Sequence, residues 1–130
     1  MDVIEVATQR HRQLVDVTRF VREVVLAAEV ADGCCNVFIP HTTAAVLINE
    51  NADPAVADDL LAALAATLPN VPFKHLEGNS DAHVLATLVG ATVTVPITGG
   101  ELALGRWQGI FLLELDGPRK REVWISCLRA

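Results

Sequence analysis

The sequence predicts an α+β domain of mostly antiparallel sheets in a sandwich-like arrangement, with about three helices and about seven or eight strands. Three observations carry this. The last third of the chain alternates in period two, with Val93, Val95 and Ile97 set against Thr92 and Thr94, and further β-rich runs cover 110–115 and 122–128. Earlier stretches place apolar residues at the three-four spacing of a helix face. The connections are short and rich in turn residues, which suits antiparallel neighbours rather than the long crossovers that parallel strands need. With no linker-like tract and no fixed-period repeat, residues 1–130 read as one domain.

In order along the chain, Val3 to Thr8 and Gln13 to Val17 read as a short hairpin turning at Gln9, Arg10 and His11, which leaves His11 exposed. From there Val17, Phe20, Val21, Val24, Val25 and Ala28 share one helix face, with Asp16 or Thr18 as the cap and Gly33 as the stop. Residues 34–39 and 44–48 are β-rich and flank Pro40-His41-Thr42-Thr43, so His41 lies at a strand end or between two strands. Asp53-Pro54 opens a second helix, the aspartate as N-cap and the proline in the first turn, where its missing N–H costs nothing. Asp58 and Asp59 follow near the positive end of the helix dipole, and the buried face is Val56, Ala57, Leu60, Leu61, Leu64, Ala65 and Leu68. Pro69 and Pro72 stop this helix, and residues 74–80 are polar and irregular. A third, short helix covers about 81–89, capped by Ser80 or Asp81 and closed by Gly90. Asp116-Gly117-Pro118-Arg119 supplies the turn between the last two strands.

Composition narrows the function classes. Hydrophobic residues make up 52% and charged residues 20%, an apolar surplus for a lone chain of this size, part of which is expected between subunits. A net charge of -6 argues against nucleic acid, whose affinity rests on Lys and Arg displacing condensed counterions. The Arg119-Lys120-Arg121 run reads as a solvated hairpin tip before it reads as a phosphate site, and Glu101 and Glu114 read as solvated positions. No apolar stretch approaches the roughly 20 residues that cross a bilayer. No membrane contact is therefore expected, and the start Met1-Asp2-Val3-Ile4-Glu5 lacks the pattern of an export signal, so the expected location is cytoplasmic. Cys34 and Cys35 adjoin and Cys127 stands alone, which suits small buried hydrophobes rather than a disulfide framework.

Chemistry concentrates in three polar segments set in apolar surroundings: His41-Thr42-Thr43, Asn49-Glu50-Asn51-Ala52-Asp53, and the run from His75 to His83 that contains Glu77 and Asn79. Polar groups embedded there must be paired, ligated or wetted to avoid a cost of about 1 to 3 kcal/mol each. Imidazoles suit zinc, manganese, iron or nickel, whereas carboxylates alone suit magnesium. The spacing singles out no metal: His75 and His83 are eight residues apart, so a shared ion requires the loop before the third helix to fold back. Each histidine taken singly is more often a hydrogen-bonded structural residue than a ligand, Thr42 and Thr43 are good β-formers, and Gly78 and Asn79 suit a plain turn. The helix start at 80–83 offers backbone N–H groups to a phosphate. Trp107-Gln108 is either a packed loop aromatic with its neighbour or a reader of a heterocycle edge.

Pro40-His41-Thr42-Thr43-Ala44, Asn49-Glu50-Asn51 with Asp53-Pro54, His75-x-Glu77-Gly78 with His83 downstream, and Gly105-x-Trp107-Gln108-Gly109-Ile110 together resemble, over almost the whole chain, the YjbQ-like or secondary thiamine-phosphate synthase family. The resemblance implies a homotrimer with sheets packed about the threefold axis and polar sites near the subunit boundaries. It implies a small phosphorylated metabolite as partner and a transferase that couples hydroxymethylpyrimidine pyrophosphate to thiazole phosphate, releasing pyrophosphate. Carried onto this chain, it makes His41, His75 and His83 ligands of a divalent metal ion, zinc, manganese or magnesium. Glu50 and Glu77 then orient a ligand or move a proton, Gln108 reads a ring edge, and Thr42, Asn49, Asn79, Arg106 and Trp107 bind substrate. Arg106 departs from the small threonine usual in the family, and either adds a phosphate contact or narrows the pocket. Two other readings fit the same residues: a trimeric metal- or metabolite-binding protein without significant turnover, and a metal-dependent phosphate-ester hydrolase.

Overall fold

Strand pairing in this chain runs mostly between segments far apart in sequence. The computed structural model describes residues 1–130 and orders them as β1 (Asp2–Ala7), β2 (Gln13–Asp16), α1 (Thr18–Ala28), β3 (Gly33–Phe38), β4 (Ala44–Glu50), α2 (Pro54–Ala66), α3 (Ser80–Val89), β5 (Thr92–Thr98), β6 (Glu101–Leu102), β7 (Gln108–Glu114) and β8 (Lys120–Arg129). One sheet has the order β1-β8-β3-β5-β6 and the other β2-β7-β4, with every pair antiparallel. The α+β class, the antiparallel pairing and the three helices match expectation.

The connectivity does not. β1 and β2 belong to different sheets and form no hairpin, and the 116–119 turn likewise carries the chain from β7 in one sheet to β8 in the other. Only β5 and β6 pair as sequence neighbours, in the register Ile97↔Leu102 and Thr98↔Glu101. Short turns at the rims thus serve to cross between layers, and the Gly117–Pro118 peptide in one of them is cis.

The inner faces of the two sheets meet in a main core that includes Val6, Val37, Val95, Val123 and Ile125 from the larger sheet and Val46, Ile110 and Leu112 from the smaller. Helix α1 inserts Val21 and Val25 into this core. Its Phe20 is 41% exposed, so one member of the expected apolar face turns outward. The helix ends at Glu29, which takes the left-handed conformation at φ 53°, and Gly33 instead opens β3. That position needs glycine for space: a Cβ there would lie 1.9 Å from the Leu128 carbonyl oxygen. At the other end the Asp16 carboxylate accepts from the amide and hydroxyl of Thr18, whose oxygen in turn accepts from the Ile110 amide.

The outer face of the smaller sheet carries a second core, where Ala45, Leu113 and Leu115 meet Ala82 and Leu85 of α3 and partly buried Leu61, Leu64 and Leu68 of or just beyond α2. Asp53 caps α2 as expected by accepting from the Ala55 amide, with Pro54 in the first turn. No α2 residue is fully buried, so its apolar face is only half covered by the chain itself. No helix in the chain is long and apolar enough to cross a membrane.

Candidate functional site

Where the chain passes from β3 to β4, the loop before α3, the first turns of α3 and the start of β8 converge on one rim of the sandwich. They line an open cavity of about 460 Å³ that contains His41, Thr42, His75, Glu77, Asn79 and His83 in its wall. That volume lies in the range of small-molecule pockets. The loop before α3 therefore does fold back: the His75 and His83 rings stand edge to face with centroids 5.5 Å apart, and Glu77 Oε1 is 4.0 Å from His75 Nε2. Asn79 is pinned by its Nδ2, which donates to Asp116 Oδ2 at 2.9 Å, and its Oδ1 is buried without a partner. The start of α3 makes a poorer anion perch than expected. The Ala82 and His83 amides already donate to the Asn79 carbonyl, and Asp81 places a carboxylate there, paired with Arg12 at 2.7 Å.

His41 has a defined role in the wall. Its Nε2 accepts a hydrogen bond from the Glu122 amide at 2.9 Å. Burial first, and then the nearby Arg121 guanidinium, hold its pKa below the ordinary imidazole value. The ring is thus neutral with its proton on Nδ1, a donor. To ligate a metal through Nδ1 the proton would have to move to Nε2, donor against donor with Glu122. No three His, Cys, Asp or Glu side chains are placed to share one cation. The three-histidine metal set expected from sequence does not fit the side chains as folded, whereas His75 and His83 are close enough to act together.

Beneath the cavity lies the feature that sequence reading missed. Glu114 is 0% and Arg121 4% exposed, not solvated as their positions suggested. Arg121 Nε donates to Glu114 Oε1 at 2.9 Å, and Nη2 donates to Glu114 Oε2 and to the carbonyl and hydroxyl of Thr43. Glu114 also accepts from the Thr8 hydroxyl at 2.7 Å and from the Leu115 and Asp116 amides. Burial alone would raise its pKa, but the hydrogen bonds from Arg121, Thr8 and the Asp116 amide outweigh it and hold the carboxylate below the usual range. Asp116 is also held down, by its bond from Asn79 first and by Arg119. Arg119 and Arg121 both line the cavity. A signal was available: along β7, Glu114 shares the parity of the buried Ile110 and Leu112, and along β8, Arg121 shares that of Val123 and Ile125.

The remaining expected site residues are elsewhere. Asn49 and Glu50 close β4 opposite Gly109 and Gln108, at the end of the strand remote from Thr43, roughly 20 Å away at 3.4 Å per residue. There the Gln108 side chain is spent on its own turn, its Oε1 accepting from the Gly105 amide at 2.8 Å. Asn49 Oδ1 accepts from the Glu50 amide at 2.7 Å. Trp107 is 55% exposed rather than packed, with the Arg106 guanidinium 4.8 Å above its ring. A single chain therefore carries two polar clusters and not one site.

The two-sheet sandwich with helices on its smaller sheet and a histidine- and arginine-lined rim cavity defines an α+β protein of the YjbQ type. The sequence profile of that family, described as UPF0047 protein YjbQ-like, matches residues 2–130, and the chain belongs to this family. It is 44% identical over 125 residues to UPF0047 protein MJ1081 of Methanocaldococcus jannaschii, covering 95% of this chain and 91% of that protein. It is 36% identical over 130 residues to UPF0047 protein YugU of Bacillus subtilis, covering 98% of each. Among solved structures, an uncharacterised YjbQ/UPF0047-family protein of Clostridium acetobutylicum superposes with a TM-score of 0.95 at 43% identity, covering 98% of this chain and 100% of that one. The hypothetical protein APE1520 of Aeropyrum pernix superposes with a TM-score of 0.92 at 38% identity, covering 99% and 98%.

Proposed function

We propose that the rim cavity is the reaction site of a transferase with thiamine-phosphate synthase-like activity. The observation that carries the reading is the lining: three imidazoles, two guanidinium groups and Thr42 face one cavity, with Glu77 as its lone carboxylate. In the reaction the bond between the pyrimidine methylene carbon and a pyrophosphate oxygen breaks, the thiazole ring nitrogen forms the new C–N bond, and pyrophosphate departs with the electron pair. Donors fixed in advance around the departing oxygens lower the barrier, because charge develops there as the bond breaks. His41 supplies one such donor from Nδ1, and Glu77, beside His75, orients that ring. A divalent ion would enter only as a companion of the bound diphosphate: His75 and His83 are the residues that would hold it, and it would supply positive charge to the departing oxygens. Incubation of the purified protein with both precursors, followed by chromatography of thiamine phosphate, tests the reading. Formation above a His75→Ala control supports it, and none above that control rejects it.

The remote cluster favours a second arrangement. Gln108, Trp107, Asn49 and Glu50 can serve the cavity only if another copy brings them to it. The outer face of the larger sheet offers the means: Val3, Trp124 and Phe38 stand in one cross-strand row, the Phe38 and Trp124 rings 5.8 Å apart, with Val3 and Phe38 exposed. We propose that three copies pack through this face. If the clusters stay apart even then, the binding-protein reading gains: elemental analysis would find bound metal, or calorimetry a bound metabolite, with negligible turnover. Release of phosphate from simple esters would instead favour the hydrolase.

A further inference from the structure

Arg121 has one guanidinium nitrogen that the fold does not use. Nε and Nη2 are spent on Glu114 and Thr43, whereas Nη1 makes no hydrogen bond within the chain. Nη1 is also not among the buried polar atoms without a partner, so it keeps some contact with solvent, and Arg121 forms part of the cavity wall. The side chain is 4% exposed, which makes it a rigid donor rather than a mobile surface charge. Glu114 and Thr43 hold the guanidinium plane from behind. Two further donors stand around the same space: the His41 Nδ1–H, fixed by the Glu122 amide, and Arg119, whose Nε and Nη2 are occupied by the carbonyl and carboxylate of Asp116.

We propose that Arg121 Nη1 is the anchor of a phosphoryl subsite in the cavity, taking an oxygen of a phosphate monoester or diphosphate, with Glu114 as the positioning residue that aims it. The inference deepens the transferase reading and rests on it for the kind of ligand. A planar guanidinium held through Nε and Nη2 by a carboxylate and by Thr43 leaves Nη1 fixed in direction to donate to a phosphate oxygen, a geometry lysine cannot reproduce. The partnering carboxylates cancel much of the local positive charge, so the subsite recognises its ligand by directed hydrogen bonds more than by net field.

Inorganic pyrophosphate is the probe. Calorimetric titration of the intact protein is expected to show binding that weakens about tenfold or more in Arg121→Lys, which retains the charge beside Glu114 but loses Nη1. Arg119→Ala is expected to weaken it less, because that side chain is half exposed. Should Arg121→Lys fail to fold, the side-chain guanidinium resonances of the wild-type protein give the same answer: the Arg121 signal moves on addition of pyrophosphate. Unchanged affinity in Arg121→Lys, an unmoved Arg121 signal, or no pyrophosphate binding by the wild type overturns the proposal. Arg121-dependent binding without thiamine phosphate formation sustains the subsite and defeats the transferase reading. Product formation with Arg121-independent binding does the reverse.

Discussion

Replacing Arg121 by methionine removes one partner of a pair in which Glu114 is 0% and Arg121 4% exposed. The Glu114 carboxylate would keep the Thr8 hydroxyl and the Leu115 and Asp116 amides but lose its counter-charge in a place that water does not reach. Breaking such a pair from one side costs about 3 to 5 kcal/mol. The three surviving hydrogen bonds place Arg121→Met toward the lower figure, a fall in melting temperature of about 10 to 15 °C for a chain of this length. Thermal denaturation followed by circular dichroism reads the change. Glu114→Gln combined with Arg121→Met removes both charges, and is expected to regain more than half of the loss, since the cost lies in the stranded carboxylate rather than in the missing contact. A single variant that melts within about 2 °C of the wild type, or a double variant as unstable as the sum of its parts, would refute the reasoning.

Stability should fall with acidification in two stages. His41 has a depressed pKa in the folded chain, so the unfolded chain binds its proton first and stability drops as pH falls below the ordinary 6.5. Glu114 and Asp116 are depressed too, and add a second loss as pH falls below their ordinary 4.5 and 3.8. Urea midpoints across that range check it, and a His41→Gln variant should lose the first stage alone. Gly33→Ala drives a Cβ to 1.9 Å from the Leu128 carbonyl oxygen and should destabilise by at least about 2 kcal/mol in urea titration. Trp124→Glu, on the outer face of the larger sheet, should convert the proposed trimer to monomer in sedimentation velocity, and an unchanged sedimentation coefficient would count against that face. Burial, and next the adjacent Cys127, push the Cys35 thiol up to about 12, so at neutral pH the folded protein should leave Cys35 unlabelled by iodoacetamide.

The local signals in the sequence read well. The Asp53-Pro54 helix start, the Gly90 stop and the β-rich runs lie where the structure has them, because each depends on residues within one turn of one another. Pairing was illegible for the opposite reason. β8 binds β1 and β3, which are remote in sequence, and nothing in the Asp116-Gly117-Pro118-Arg119 turn says that the chain changes sheets there. His41, His75 and His83 line one cavity, an arrangement that their spacing left open and that only the family resemblance implied. Motif order groups Trp107 and Gln108 with them but carries no distance, and β4 holds the two groups apart. Glu114 and Arg121 read as solvated charges, although strand parity places both on buried faces among Ile110, Leu112, Val123 and Ile125.

The rim cavity between His41, His75, His83 and Arg121 is the proposed place for a phosphorylated ligand. A crystal of the protein soaked in pyrophosphate tests it at atomic level. The expected result is a diphosphate within that cavity, one oxygen at hydrogen-bond distance from Arg121 Nη1. A diphosphate bound solely at the Trp107–Gln108 end, or a cavity left empty at saturating concentration, would contradict it.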